Sequence, residues 1–192
     1  AVIFKSDDNY SSGINDTFQA EAKDIGLDVV YTPLCGTGNE PVREILGRLG
    51  ANITVVSCQE KPDGDFKTCE YPNPETDAAL NESYKVARTV PCDVILGTDP
   101  DADRIGVALR TGSGDYVLLN GNQTLALLLS YQLTRLAERG DLDGNQYAVK
   151  TIVTSQMANA VAEHFGVKCY DCLTGFKYIA KIIRENEGVA KY

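Results

Sequence analysis

The sequence predicts an α/β protein. The expected arrangement is a three-layer α/β/α fold on a mostly parallel mixed sheet, with one complete domain followed by a truncated domain of similar topology. Three observations carry this. First, short β-branched runs alternate with helical stretches along the chain, the pattern of a largely parallel sheet covered by helices on both faces. Second, "LDVVYTP" (27–33) and "DVILG" (93–97) are continuous apolar runs of buried-strand length. Third, windows 29–56 and 147–172 share one order: strand, small-residue turn, helix closing on a bulky residue and glycine, strand.

Taken in order, "NDTFQAEAKDIG" (15–26) reads as a helix with Asn15 as N-cap and Gly26 at its stop. Residues 27–33 form a buried strand. "CGTGNEPVREILGRLG" (35–50) gives a glycine turn, then a helix with Asn39 near the cap and Pro41 in the first turn. "NITVV" (52–56) is the next strand, and the turn-rich stretch 57–74 is a long loop. A helix over 74–90 takes Asn73 as cap and Pro74 as its first residue. Strands 93–97 and 105–109 enter and leave an aspartate-rich loop; 116–119 is a short strand after the turn "TGSGD". The remainder reads as an amphipathic helix (121–140), a strand (147–153), a helix (155–166), a strand (167–172) and a helix (174–188). The expected domains are 1–116 and 117–192.

Of 192 residues, 43% are hydrophobic and 23% charged, the composition of a globular protein. The net charge of −9 offers no basic face to a nucleic acid or an anionic membrane, although it leaves room for one local phosphate pocket. The longest apolar run, "LALLL" (125–129), is far too short to span a bilayer. One histidine, His164, excludes multi-histidine metal sites and reads as a helix C-terminal residue. The six cysteines are scattered, and only "CYDC" (169–172) has redox or metal spacing, without the second pair a zinc ribbon needs. Reduced thiols and a cytoplasmic location are expected. The first residue is Ala1 and the chain closes on a helical stretch, so an excised piece of a longer protein is expected.

"GTDPDADRIGVAL" (97–109) places Asp99, Asp101 and Asp103 at alternate positions, with Arg104 directly after. Carboxylates held 4 to 5 Å apart repel by roughly 3 to 4 kcal/mol per pair at an effective dielectric near 20. Either the loop splays into water as a solvated acidic turn, or something positive sits among the groups. Its place at the carboxyl end of a buried strand is where open α/β sheets hold ligands. Carboxylates without histidine or cysteine suit a hard cation: magnesium first, then manganese or calcium. An EF-hand is excluded, because Arg104 and Arg110 stand where that loop needs glycine and glutamate. A haloacid-dehalogenase-like phosphatase would use Asp99 and Asp101, but Asp103 stands where its motif has threonine or valine. A magnesium loop with Arg104 gripping a phosphate uses all four residues. The other motifs read as architecture: "GTGNEP" (36–41) as a tight strand-to-helix turn, "PDGDF" (62–66) as an edge-shaping loop, and "CYDC" as a packed strand.

"TDPDADRIGVA" resembles the metal-binding loop of the α-D-phosphohexomutases, in the phosphoglucomutase/phosphomannomutase branch. "YTPLCGTGNEPVREILGRLG", "PDGDF", "YPNPE" and "TGFKYIAKII" resemble further segments of that family in the same order, so the likeness covers nearly the whole chain. It implies an enzyme interconverting hexose 1- and 6-phosphates through a phosphoserine and a hexose 1,6-bisphosphate. By position, Asp99, Asp101 and Asp103 would bind Mg2+, Arg104 would contact the phosphoserine, and Lys177 in "TGFK" would contact substrate and serve proton transfer. No loop like the family's phosphoserine loop occurs in the sequence, nor its sugar-reading loop. The resemblance therefore implies the second and part of the third of four domains, inactive without the remaining domains of the parent chain. The alternative is a non-catalytic metal- or phosphate-binding module.

Overall fold

Strand alternation sorts the core of the first unit onto two faces. In the computed structural model, which describes residues 26–187, Val29 and Tyr31 of β1 (Asp28–Thr32) point one way and Val30 the other. Val30 joins Ile95 of β3 (Val94–Thr98) and Ala108 of β4 (Ile105–Arg110) against Leu80 and Ala87 of α2 (Asp77–Thr89). Val29, Tyr31 and Val94 pack with Val42 and Leu46 of α1 (Asn39–Arg48) on the opposite face. Each fully buried Val, Leu or Ile contributes about 1.5–3 kcal/mol. With β2 (Asn52–Val55) and β5 (Tyr116–Leu119), the sheet order is β2-β1-β3-β4-β5. β1 pairs in parallel with β2 and β3, while β4 runs antiparallel to β3 and β5. Four strands thus share one direction, giving the expected mixed, mostly parallel sheet.

One helix start differs from the sequence reading. α2 begins at Asp77, capped by Thr76, whose side chain accepts a hydrogen bond from the Ala79 amide. Pro74 is instead buried against the sheet, where glycine at position 106 leaves room for its carbonyl. Asn73 serves that turn, its Oδ1 accepting from the Glu75 amide at 3.1 Å. In α1, Gly38 is the cap and Asn39 the first helical residue; its amide group donates to the Glu60 carbonyl at 3.1 Å. The helix expected over 15–26 lies, apart from Gly26, outside the described residues.

The described residues divide into two compact units between Asn120 and Gly121. The second holds α3 (Gly121–Arg139), β6 (Tyr147–Thr151), α4 (Met157–His164), β7 (Lys168–Cys172) and α5 (Phe176–Glu185). β6 and β7 pair in parallel around α4, as β1 and β2 do around α1. Leu133, Ala162 and Val167 form its core. β6 stops at Thr151; Ile152 and Val153, β-branched and read as strand, are 57% and 72% exposed in the following turn. Cys169 and Cys172 lie three apart on β7 and so point to opposite faces. All six cysteines are free thiols. No helix among the described residues is long and apolar enough to cross a membrane.

Lys150 is buried in β6 and paired with Asp171, its register partner on β7, while its Nζ donates to the Thr154 carbonyl at 3.3 Å. The hydrogen bond from Lys150 holds the Asp171 carboxyl below the usual range. A lowered carboxylate pKa stabilises the fold above the unfolded value near 4, and that contribution is lost as pH falls through the folded value. Asp171→Asn is expected to lose stability at neutral pH and to shed less of what remains below about pH 4. Denaturation midpoints by circular dichroism at stepped pH check this; parallel acid limbs in the two proteins would refute it.

Candidate metal centre

β3 ends at Thr98, and its next residue is Asp99. The strand end is fixed from below: the Tyr31 hydroxyl and Thr98 Oγ1 share a buried 2.8 Å hydrogen bond. The turn after β1 packs against the loop from the side. The Thr37 amide donates to the Pro100 carbonyl at 2.8 Å, and a Cβ at Gly36 would stand 2.3 Å from Pro100 Cα. Within the loop, the Ala102 amide donates to the Asp99 carbonyl at 2.9 Å, with Ala102 in the left-handed region at φ 59°. This closed turn brings one carboxylate oxygen each from Asp99, Asp101 and Asp103 within 4.8 Å of one another.

Asp99 is 1% exposed, whereas Asp101 and Asp103 are exposed. The positive group among them is Arg104. Asp99 Oδ1 accepts from the Arg104 amide at 2.9 Å and Oδ2 from its Nε at 2.8 Å. The same Nε lies 3.6 Å from Asp103 Oδ1. Burial pushes the Asp99 carboxyl up, but the hydrogen bonds from Arg104 outweigh it and hold the group below the ordinary range. Asp103, sharing its surroundings with Asp99 and Asp101, is pushed above that range. The donor set fits a hard divalent cation: three carboxylate oxygens at close quarters, one buried and two exposed.

All four loop residues named from sequence are brought together. Lys177 belongs to the second unit, on the first turn of α5, exposed, with Nζ 4.9 Å from the Tyr178 ring centre. Sequence reasoning missed the supports: Tyr31 was read only as part of a buried strand, and Gly36 and Thr37 only as part of a strand-to-helix turn. Tyr71, 68% exposed on the preceding loop, lies near enough to raise the Arg104 guanidinium's affinity for its proton, behind the larger effect of Asp99. No spacing in the sequence signals these contacts.

The family model for the phosphoglucomutase/phosphomannomutase alpha/beta/alpha domain II matches residues 8–112, and that for domain III matches residues 120–191. The chain belongs to the phosphoglucomutase/phosphomannomutase family. Phosphoglucomutase from Staphylococcus epidermidis is 40% identical over 159 residues, covering 82% of this chain and 28% of that protein. This chain therefore spans little more than a quarter of that curated relative's length. Among solved structures, a phosphoglucomutase/phosphomannomutase family protein from Burkholderia thailandensis superposes with a TM-score of 0.67 at 16% identity, over 90% of this chain and 36% of that one. N-acetylphosphoglucosamine mutase from Aspergillus fumigatus, solved with GlcNAc-6P and magnesium, gives a TM-score of 0.59 at 16% identity, over 91% and 34%.

Proposed function

We propose that the chain is the metal-loop portion of a phosphohexomutase that interconverts hexose 1- and 6-phosphates through a phosphoserine and a hexose 1,6-bisphosphate. The observation that carries this is the gathering of three aspartate oxygens within 4.8 Å at the carboxyl end of β3, in a chain of this family. Asp99, Asp101 and Asp103 hold Mg2+. When bound, the ion supplies charge neutralisation to a phosphoryl oxygen. Arg104 orients the phosphate, and Lys177 contacts the sugar phosphate and serves proton transfer. Phosphoryl transfer depends on such positioning more than on covalent participation by these side chains. The magnesium in the Aspergillus fumigatus enzyme supports the choice of ion. The nucleophilic serine and the sugar-reading loop come from the remaining domains of the parent chain, so this piece is inactive alone. Free thiols suit a reducing, cytoplasmic setting.

The phosphatase alternative needs Asp99 as an accessible nucleophile. A carboxylate that is 1% exposed and accepts on both oxygens is poorly placed to attack. A non-catalytic metal- or phosphate-binding module shares the same site and differs only in lacking turnover with its parent domains. Asp101→Asn is expected to weaken Mg2+ binding by at least about tenfold, since it removes one of three charged ligands while leaving the buried Asp99–Arg104 pair intact. Titration calorimetry giving equal affinity in the variant and the wild type would remove the ligand assignment.

A further inference from the structure

We propose that Gln59 is a positioning residue for the aspartate loop, acting through the turn between β1 and α1. This role rests on the metal-loop reading above, but it belongs to a residue outside that loop. The turn it serves is strained. The Gly36 amide donates to the Pro33 carbonyl at 2.9 Å, and the two residues between them, Leu34 and Cys35, are both left-handed at φ 46° and 59°. Two left-handed residues in succession belong to a type I′ turn, which favours glycine, asparagine and aspartate; leucine and cysteine sit there under strain. Such a turn persists only where its surroundings hold it.

Gln59 supplies the hold from its main chain and its side chain together. Its carbonyl accepts from the Cys35 amide at 2.9 Å. Its Oε1 accepts from the Thr32 hydroxyl at 2.7 Å, and Thr32 Oγ1 in turn accepts from the Leu34 amide at 3.1 Å. Each left-handed residue thus has its amide tied to this glutamine, directly or through one hydroxyl. Thr32 and Gln59 are both 0% exposed, so water does not compete for these bonds. The far side of the turn carries the tie onward. Thr37 donates to the Pro100 carbonyl from its amide at 2.8 Å and from its hydroxyl at 3.1 Å, and Pro100 separates Asp99 from Asp101. A second observation sets Gln59 apart from an ordinary core residue. Its Nε2 is buried without a hydrogen-bond partner among the described residues. An unpaired buried amide group opposes folding, and methionine would fill a similar volume without it. Only the acceptor half of the side chain is used, and what it holds is the turn against which the aspartate loop packs.

The test compares wild type, Gln59→Met, Thr32→Val and the double variant in the 192-residue chain. Hydrogen exchange is followed at the amides of Thr37 and of Val30 in the middle of the sheet, and Mg2+ alone is titrated by calorimetry. Gln59→Met is expected to exchange the Thr37 amide about tenfold faster while Val30 stays within about twofold of wild type. Its Mg2+ binding is expected to weaken by at least about threefold. Thr32→Val breaks the same relay from its other end, so it is expected to match Gln59→Met, and the double variant to add nothing to either single change. Thr32→Ser keeps the hydroxyl and is expected to stay near wild type. Thr37 exchange and Mg2+ affinity within about twofold of wild type in Gln59→Met overturn the proposal. So does equal acceleration at Thr37 and Val30, which is lost stability rather than a loosened turn. If Gln59→Met fails to fold, the threonine variants decide: equal Thr37 rates in Thr32→Val and Thr32→Ser overturn it. Wild type that binds no Mg2+ removes the metal-loop reading, and the Thr37 rates then uphold or overturn the hold of Gln59 on the turn by the same criteria.

Discussion

Gly106→Ala is expected to lower the melting temperature by more than about 10 °C, the signature of a loss above about 3 kcal/mol in a domain of this size. Gly106 sits in β4 opposite Gly97 of β3, under the turn that leads into α2. An added Cβ would lie 1.9 Å from the Pro74 carbonyl oxygen and 2.6 Å from its carbon. Those are backbone atoms, so no rotamer change relieves the clash. Pro74 is itself buried, and the chain beside it carries the Thr76 cap of α2. Moving the turn disturbs the cap and the seat of Leu80, which is 0% exposed on the sheet. Gly47→Ala is the control. Gly47 lies in α1 with nothing within 4 Å of its added Cβ, and alanine there is expected to stabilise by about 0.5–1 kcal/mol. Thermal melts by circular dichroism compare the two; similar midpoints would refute the packing argument.

That contact also shows where the sequence stops being readable. The alternation of strand and helix, the buried β1 and β3, and the parallel βαβ units were legible because short continuous apolar runs and glycine stops are local signals. The aspartate loop was legible because three carboxylates at alternate positions have few structural uses. Pro74 against Gly106 was not, because it joins residues 32 apart through the sheet order, which no local pattern encodes. Asn73 had the chemistry of a helix cap, but tertiary packing assigned it to the turn before Thr76. Ile152 and Val153 had strand propensity without a strand; the ladder ends with a single bond from the Ile152 amide to the Cys172 carbonyl at 2.8 Å. Arg104 was named from its position after the aspartates, but its bond to Asp99 depends on the loop's closure at Ala102. Residues that are adjacent in sequence show which groups are available; the fold decides which of them pair.

Gly36→Ala is expected to weaken Mg2+ binding by at least about tenfold, because magnesium demands near-ideal octahedral placement of its ligands. Gly36 contributes no side chain to the loop and lies 63 residues from Asp99. Its backbone is not left-handed, so alanine is conformationally acceptable there. The obstacle is Pro100. The new Cβ would stand 2.3 Å from its Cα, 2.5 Å from its oxygen and 2.7 Å from its carbonyl carbon. Ordinary carbon contacts need at least about 3.5 Å, so one of the two turns must retreat by roughly 1 Å. The β1 turn is held by the Cys35 amide on the Gln59 carbonyl and by the buried Leu34, which favours movement of the aspartate loop. Pro100 lies between Asp99 and Asp101, and its carbonyl is the acceptor for the Thr37 amide. Its retreat pulls Asp101 from Asp99 and loosens the Arg104 clamp on the buried carboxylate. A stability loss of about 1–3 kcal/mol accompanies the change, less than at Gly106, because one side of this contact is a loop open to water. Mg2+ titration well below the variant's melting temperature separates the two effects. Affinity within twofold of wild type would show that the aspartate loop keeps its geometry without the support of the β1 turn.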